Sequence, residues 1–179
     1  MITNGFGTHL PLLTHAIMVS EGPVLECGGG FCSTPVLDAL LRESGRMLVT
    51  ADENEGWFLT LSRMFACHWH IVRHVTSWEK FLARFALPWG VVLVDNDLVE
   101  TESSETHYDG RLAVLKVLPR EAITIVHDTQ DERIAADPWW CARVASSPFV
   151  WTHEACGIQT TLLAARELPE IGARTWHRQ

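Results

Sequence analysis

At four points in the sequence a carboxylate or an imidazole stands directly after a run of apolar, β-prone residues. Glu26 follows Pro23-Val24-Leu25 and opens onto Cys27-Gly28-Gly29-Gly30; Asp52, with Glu53 beside it, follows Met47 to Ala51; Asp95 follows Trp89 to Val94; His127-Asp128 follows Ala122 to Val126. Such groups at strand ends can accept bonds from an ammonium or from ribose hydroxyls, take a proton near neutral pH, or offer oxygen ligands to a hard cation. Glycines at 28 and 30 allow positive φ and let a ligand approach backbone without meeting a Cβ. Ser33 or Thr34 is placed to cap the helix that follows, whose first N–H groups and dipole suit a ligand carboxylate.

The elements that must position these groups follow from periodicity. Leu10, Leu12, Leu13, Ala16, Ile17 and Met18 suit a short helix with Pro11 in its first turn. His9 and His15 on that helix could line a ligand site and read first as solvated surface histidines. Helical spacing recurs over Pro35 to Glu43, Asn54 to Ala66 and Tyr108 to Val117, and after Thr76 or Ser77, where Trp78, Phe81 and Leu82 fall on one face. Strands alternate with these helices at 23–26, 47–51, 68–75, 89–94 and 122–126. Phe149 to Glu154 and Ile158 to Ala165 read as a closing hairpin around Cys156-Gly157. Pro138-Trp139-Trp140-Cys141 begins a segment too short and proline-broken to assign to a helix or a strand. The expected fold is α/β: a three-layer, doubly wound, mostly parallel sheet with a C-terminal antiparallel hairpin, in one domain over residues 1–179. Ligands of such sheets bind at the carboxyl ends of the strands, near the switch in strand order.

Glu26-x-Gly28-x-Gly30 resembles the first motif of class I methyltransferases that use S-adenosylmethionine, with Cys32 where a third glycine usually stands. The order of elements is similar to that family from about Leu12 to Ala165. The resemblance implies an S-adenosylmethionine site built from Glu26, Gly28, Gly30, Asp52 or Glu53 for the ribose, Ser77 and Trp78 near the adenine, and Asp95. Val94-Asp95-Asn96-Asp97 and Val126-His127-Asp128-Thr129 further resemble small-molecule O-methyltransferases in which carboxylates hold magnesium. Carried over by position, Asp95 and Asp128 would be Mg²⁺ ligands, with His127 a third ligand or the general base; Thr129 departs from the acidic or amide residue usual there.

Composition narrows the partners. A formal charge of −8 and a pI near 5.5 disfavour nucleic acid as substrate and favour a small molecule. Five cysteines without a C-x-x-C pair indicate neither a disulfide framework nor a zinc module. No signal peptide or membrane span is indicated, which suits a cytoplasmic protein. The acceptor site is expected from the N-terminal helix, the polar Glu100 to Tyr108 loop, the Trp139-Trp140 segment, or a second subunit of a homo-oligomer. Two rivals use the same fold. A nicotinamide-dependent oxidoreductase would want a last glycine where Ser33 stands, and a non-catalytic binding or scaffold protein could put the eight tryptophans into an interface.

Overall fold

A computed structural model describes residues 7–96, 109–169 and 177–178. The N-terminal lead up to residue 6 and the stretch from 97 to 108, with Asp97, the Glu100 to Glu105 loop and Tyr108, lie outside the described residues. Fifteen elements follow in chain order: α1 (Leu10–Met18), β1 (Val24–Cys27), α2 (Ser33–Ser44), β2 (Leu48–Asp52), α3 (Glu55–Phe65), β3 (His70–His74), α4 (Trp78–Arg84), β4 (Val91–Val94), α5 (Asp109–Val117), β5 (Ile123–Val126), α6 (Glu132–Ala135), α7 (Pro138–Ala145), β6 (Phe149–Ala155), β7 (Ile158–Ala164) and β8 (His177–Arg178). They build one sheet in the order β3-β2-β1-β4-β5-β7-β6-β8. The first five strands run parallel, and β7 returns antiparallel beside β5.

Alternation along the strands divides the core. Leu25, Cys27, Val49, Ala51, Val92 and Val94 point to the face covered by α4, α5 and α7, where Trp78, Phe81, Leu82, Leu112, Leu115 and Trp140 complete one cluster. Val24, Leu48, Val91, Leu93 and Ile125 point the other way, against Leu12, Leu13, Ala16 and Ile17 of α1 and Leu37 and Leu41 of α2. Both faces of β1, β2, β4 and β5 are buried, which is why those strands read as unbroken apolar runs. The hairpin closes on Cys156 (φ 56°) and Gly157 (φ 76°), two left-handed residues that match the twist of β6 and β7.

Local chemistry sets several boundaries. Asn54 accepts from the Trp57 N–H to cap α3, and Ser77 accepts from Lys80 N to cap α4. Neither Ser33 nor Thr34 caps α2; the capping position is Cys32, and Thr34 lies within the helix. The segment at Pro138 is a helix after all. Asp137 accepts from Trp140 N, and the proline occupies the first turn, where its missing N–H costs nothing. No helix among the described residues is long and apolar enough to cross a membrane.

Candidate functional site

The strand order switches between β1 and β4, and the carboxyl ends of β1, β4 and β5 open there into a pocket of about 400 Å³. Gly28, Gly29, Gly30, Phe31, Cys32 and Ser33 form one wall, His9, Asp95, His127 and Asp128 the other, with Trp57 at the rim. The glycines have distinct reasons to be there. Gly28 has φ +85°, and a Cβ on it would strike the Asp95 carbonyl and stand 2.5 Å from Asn96 Cα. Its smallness lets the ends of β1 and β4 meet. A Cβ on Gly29 would run into Leu61 and stand 2.8 Å from Thr50 Cγ2, whereas one on Gly30 would meet nothing within 4 Å. Only Gly30 keeps space open.

The turn is fastened from below. The N–H groups of Gly28, Gly29 and Gly30 donate to Ala51 O (2.8 Å), Asp52 Oδ2 (2.9 Å) and Thr34 Oγ1 (2.9 Å). Glu26 is fully buried and accepts from Thr34 (2.9 Å) and Thr50 (2.7 Å) on Oε2. Burial pushes its carboxyl up to about 7, against the hydroxyls of Ser33, Thr50 and Thr34. Asp52 takes a second backbone N–H, from Asn54, at 2.7 Å.

The opposite wall is a charged cluster. Arg111, from α5, is 1% exposed. Its Nη2 donates to Asp95 Oδ1 (3.0 Å), its Nη1 to Asp128 Oδ2 (3.0 Å) and His127 O (2.7 Å), and its Nε to Asn96 O (3.3 Å). This bracing holds Asp128 in the left-handed region at φ 58°. His127 lies between Asp95 Oδ1 (3.0 Å from Nδ1) and Thr8 Oγ1 (2.8 Å from Nε2). Burial lowers its pKa, but the bond to Asp95 and the charges of Asp95 and Asp128 outweigh that and raise it above its usual value. For Asp95, burial works upward and is overcome by the His127 bond and the Arg111 charge, so its carboxyl stays below its usual value. His9 differs: burial drives it down to about 4, Asp95 pulling the other way, and its ring is neutral at pH 7. Neither of its ring nitrogens has a hydrogen-bond partner among the described residues.

No protein-family model matches the sequence, and no curated protein matches it. Solved structures do match the fold. The O-methyltransferase TomG from Streptomyces achromogenes, involved in tomaymycin synthesis and solved with S-adenosylmethionine, is 17% identical, with 93% of this chain and 82% of that chain covered and a TM-score of 0.55. An O-methyltransferase from Bacillus cereus, solved with S-adenosylhomocysteine, is 16% identical over 92% and 82% of the two chains, with a TM-score of 0.56. Human methyltransferase-like protein 13, also with S-adenosylhomocysteine, is 13% identical over 94% and 81%, at 0.56. This chain has the class I methyltransferase fold.

Within that methyltransferase fold, Gly28, Gly30, Asp95, His127 and Asp128 meet at the pocket as their positions in the sequence imply. The other expected residues do not line it. Glu26 and Asp52 lie beneath the glycine turn, Asp52 taking backbone N–H groups on both oxygens and Glu26 taking the Thr34 and Thr50 hydroxyls on Oε2. Glu53 accepts from the Trp78 ring N–H. Trp78 is 5% exposed in the core, and Ser77 borders a separate depression with Arg73, Lys80 and Arg84. An adenine contact from either would need the helix to turn, because the cap and the core fix both.

The magnesium pair of the resemblance meets a physical difficulty: Arg111 already bridges Asp95 and Asp128, so their facing oxygens are neutralised by a guanidinium. Four contributors are missed or misplaced by a reading of the sequence. His9, read there first as a surface histidine, is 1% exposed; its only local signal is its place one residue before a buried-face helix. Arg111 sits in an otherwise ordinary helical pattern. Phe31 and Trp57, 60% and 37% exposed, meet edge to face at 4.8 Å across the pocket mouth, and an aromatic directly after a glycine turn was the available clue.

Proposed function

We propose that this chain, acting as one domain, binds S-adenosylmethionine against the glycine turn and transfers its methyl group to a small-molecule acceptor. The observation that carries the reading is the pocket at the β1/β4 switch, where open space over Gly30 faces the Asp95 and His127 side chains. Two of the similar structures named above hold S-adenosylhomocysteine and one S-adenosylmethionine, which supports the choice of cofactor. The residues present fit it. Backbone from Gly28 to Ser33 would receive the methionyl end, and Phe31 and Trp57 offer apolar ring surface for the nucleoside.

When bound, the cofactor supplies an electrophilic methyl on a sulfonium. The chain's own share is alignment and charge: Asp95, His127 and Asp128 present a polar wall against which the acceptor's nucleophilic group is held, and Arg111 fixes that wall. Glu26, Asp52 and Thr34 contribute by holding the turn. The acidic charge supports a small-molecule acceptor over nucleic acid, and five unpaired cysteines suit a cytoplasmic setting.

Calorimetric titration with S-adenosylmethionine and S-adenosylhomocysteine tests the reading, with Gly30→Val as control. A Cβ at 30 meets nothing within 4 Å, so a valine enters ligand space, and micromolar binding should fall at least a hundredfold while the fold, read by the melting temperature, is kept. Binding that survives Gly30→Val, or no binding by the folded wild type, would overturn it.

A further inference from the structure

The wall opposite the glycine turn contains one group whose surroundings leave it unsatisfied. His9 is 1% exposed, lines the pocket, and has both ring nitrogens without a hydrogen-bond partner among the described residues. A desolvated imidazole with neither nitrogen matched is unfavourable unless a ligand supplies what the protein does not. Its neighbours are suggestive. Asp95 Oδ2 is 3.9 Å from His9 Nδ1, and Asp95 Oδ1 is 3.0 Å from His127 Nδ1. The two imidazoles stand edge to face with centroids 4.7 Å apart, and one donor atom from each of the three residues lies within 4.8 Å of the others.

We infer that His9, Asp95 and His127 form a binding site for a first-row divalent transition ion. Ligand atoms about 2.0–2.2 Å from a common ion stand roughly 3.0–3.5 Å from each other. His9 Nδ1 stands 3.9 Å from Asp95 Oδ2, and the three donor atoms lie within 4.8 Å of one another, so the donors, the His9 ring above all, must draw together onto the ion. Two imidazoles and one carboxylate suit Zn²⁺, Co²⁺, Mn²⁺ or Fe²⁺; Mg²⁺ prefers an all-oxygen shell. Arg111 holds Asp128 through Oδ2 and Asp95 through Oδ1, and it is the other oxygen of Asp95, Oδ2, that faces His9.

The outer groups also fit. With His127 Nδ1 on the ion, its Nε2–H donates to Thr8 Oγ1 at 2.8 Å, which fixes ring and tautomer. Arg111 orients Asp95 through Oδ1. The pocket side of the ion would stay open to a substrate carboxylate or to a substrate hydroxyl, whose proton an ion of this kind would render more acidic.

The inference rests on these donor atoms and stands apart from the cofactor reading. The test uses the full chain stripped with a chelator, titrated with Co²⁺ and Zn²⁺ by calorimetry and followed by the Co²⁺ visible absorption. S-adenosylhomocysteine is titrated separately into the same metal-free protein, so the two readings can fail independently. The expected result is one equivalent bound at micromolar Kd or tighter, weakened at least a hundredfold in His9→Ala and in the near-isosteric His9→Gln, and unchanged in His153→Ala. Millimolar Mg²⁺ should not displace the Co²⁺. Substoichiometric binding, binding indifferent to both His9 variants with native circular dichroism, or displacement by Mg²⁺ would each overturn the assignment.

Discussion

Arg111 carries a full charge at 1% exposure, and it is tolerated because every side of the guanidinium meets an oxygen: Asp95, Asp128 and the carbonyls of Asn96 and His127. Truncation would leave two carboxylates facing each other with nothing between them and two carbonyls unpaired. Arg111→Ala should therefore cost about 3 kcal/mol, a fall in melting temperature of roughly 6–12 °C for a chain of this size. Arg111→Lys should recover less than half, since one ammonium cannot reach all four acceptors as the planar fork does. Thermal denaturation of the two variants decides it, and a loss below about 1 kcal/mol in Arg111→Ala would show that water replaces the guanidinium. The carboxylates were legible in the sequence because each ends an apolar strand. Their counter-charge was not, because α5 brings Arg111 to them from a different element with no local motif. His9 escaped for a related reason: one residue outside a helix, burial depends on where the helix docks, and sequence periodicity says only which face docks.

Between elements, a buried polar chain runs under the glycine turn. Glu26 at the end of β1 meets Thr34 of α2 and Thr50 of β2; Thr50 Oγ1 lies 3.0 Å from His70 Nε2 on β3; and His70 Nδ1 lies 2.9 Å from Asp38 Oδ1, back on α2. Burial raises Glu26 and lowers His70, whose bond to Asp38 pulls upward, so the network's proton belongs on Glu26. A carboxyl whose folded pKa is about 7 against an ordinary 4.5 binds its proton more tightly folded than unfolded. Its contribution is then fully present below pH 4.5 and is lost as pH rises toward 7. Glu26→Gln keeps an acceptor for Thr34 and Thr50 and removes the titration. Relative to wild type it should gain about 3 kcal/mol between pH 4.5 and 7.5, the free energy equivalent of that pKa difference. Chemical denaturation at the two pH values reads the gain directly; a constant offset between the proteins would mean that Glu26 stays ionised when buried. Gly28→Val, which the motif alone offers as a clean probe of ligand binding, belongs at this scale too. Its Cβ would collide with β4's continuation, so it tests the β1/β4 junction as much as the ligand. The helix at Pro138 was illegible for the opposite reason: proline reads as a break, yet at a first turn capped by Asp137 it starts a helix.

For the molecule as a whole, the pocket draws on residues from 9 to 128, carried by the start of α1, the β1 turn, α3, and the ends of β4 and β5. No contiguous part of the chain forms it, and the strands that hold it are also the central strands of the sheet, each buried on both faces. A ligand of this pocket therefore binds the folded sheet and has no counterpart in the unfolded chain, so its binding free energy adds to global stability. S-adenosylhomocysteine at a hundred times its Kd should add about 2.7 kcal/mol and raise the melting temperature by roughly 5–10 °C. Gly30→Val should melt near the wild-type temperature and show no such rise. The comparison separates two sites that calorimetry alone would confuse. A ligand bound to the surface depression at Arg73, Ser77 and Lys80 would stabilise wild type and Gly30→Val equally, whereas a ligand seated at the β1/β4 switch stabilises only the protein that keeps Gly30.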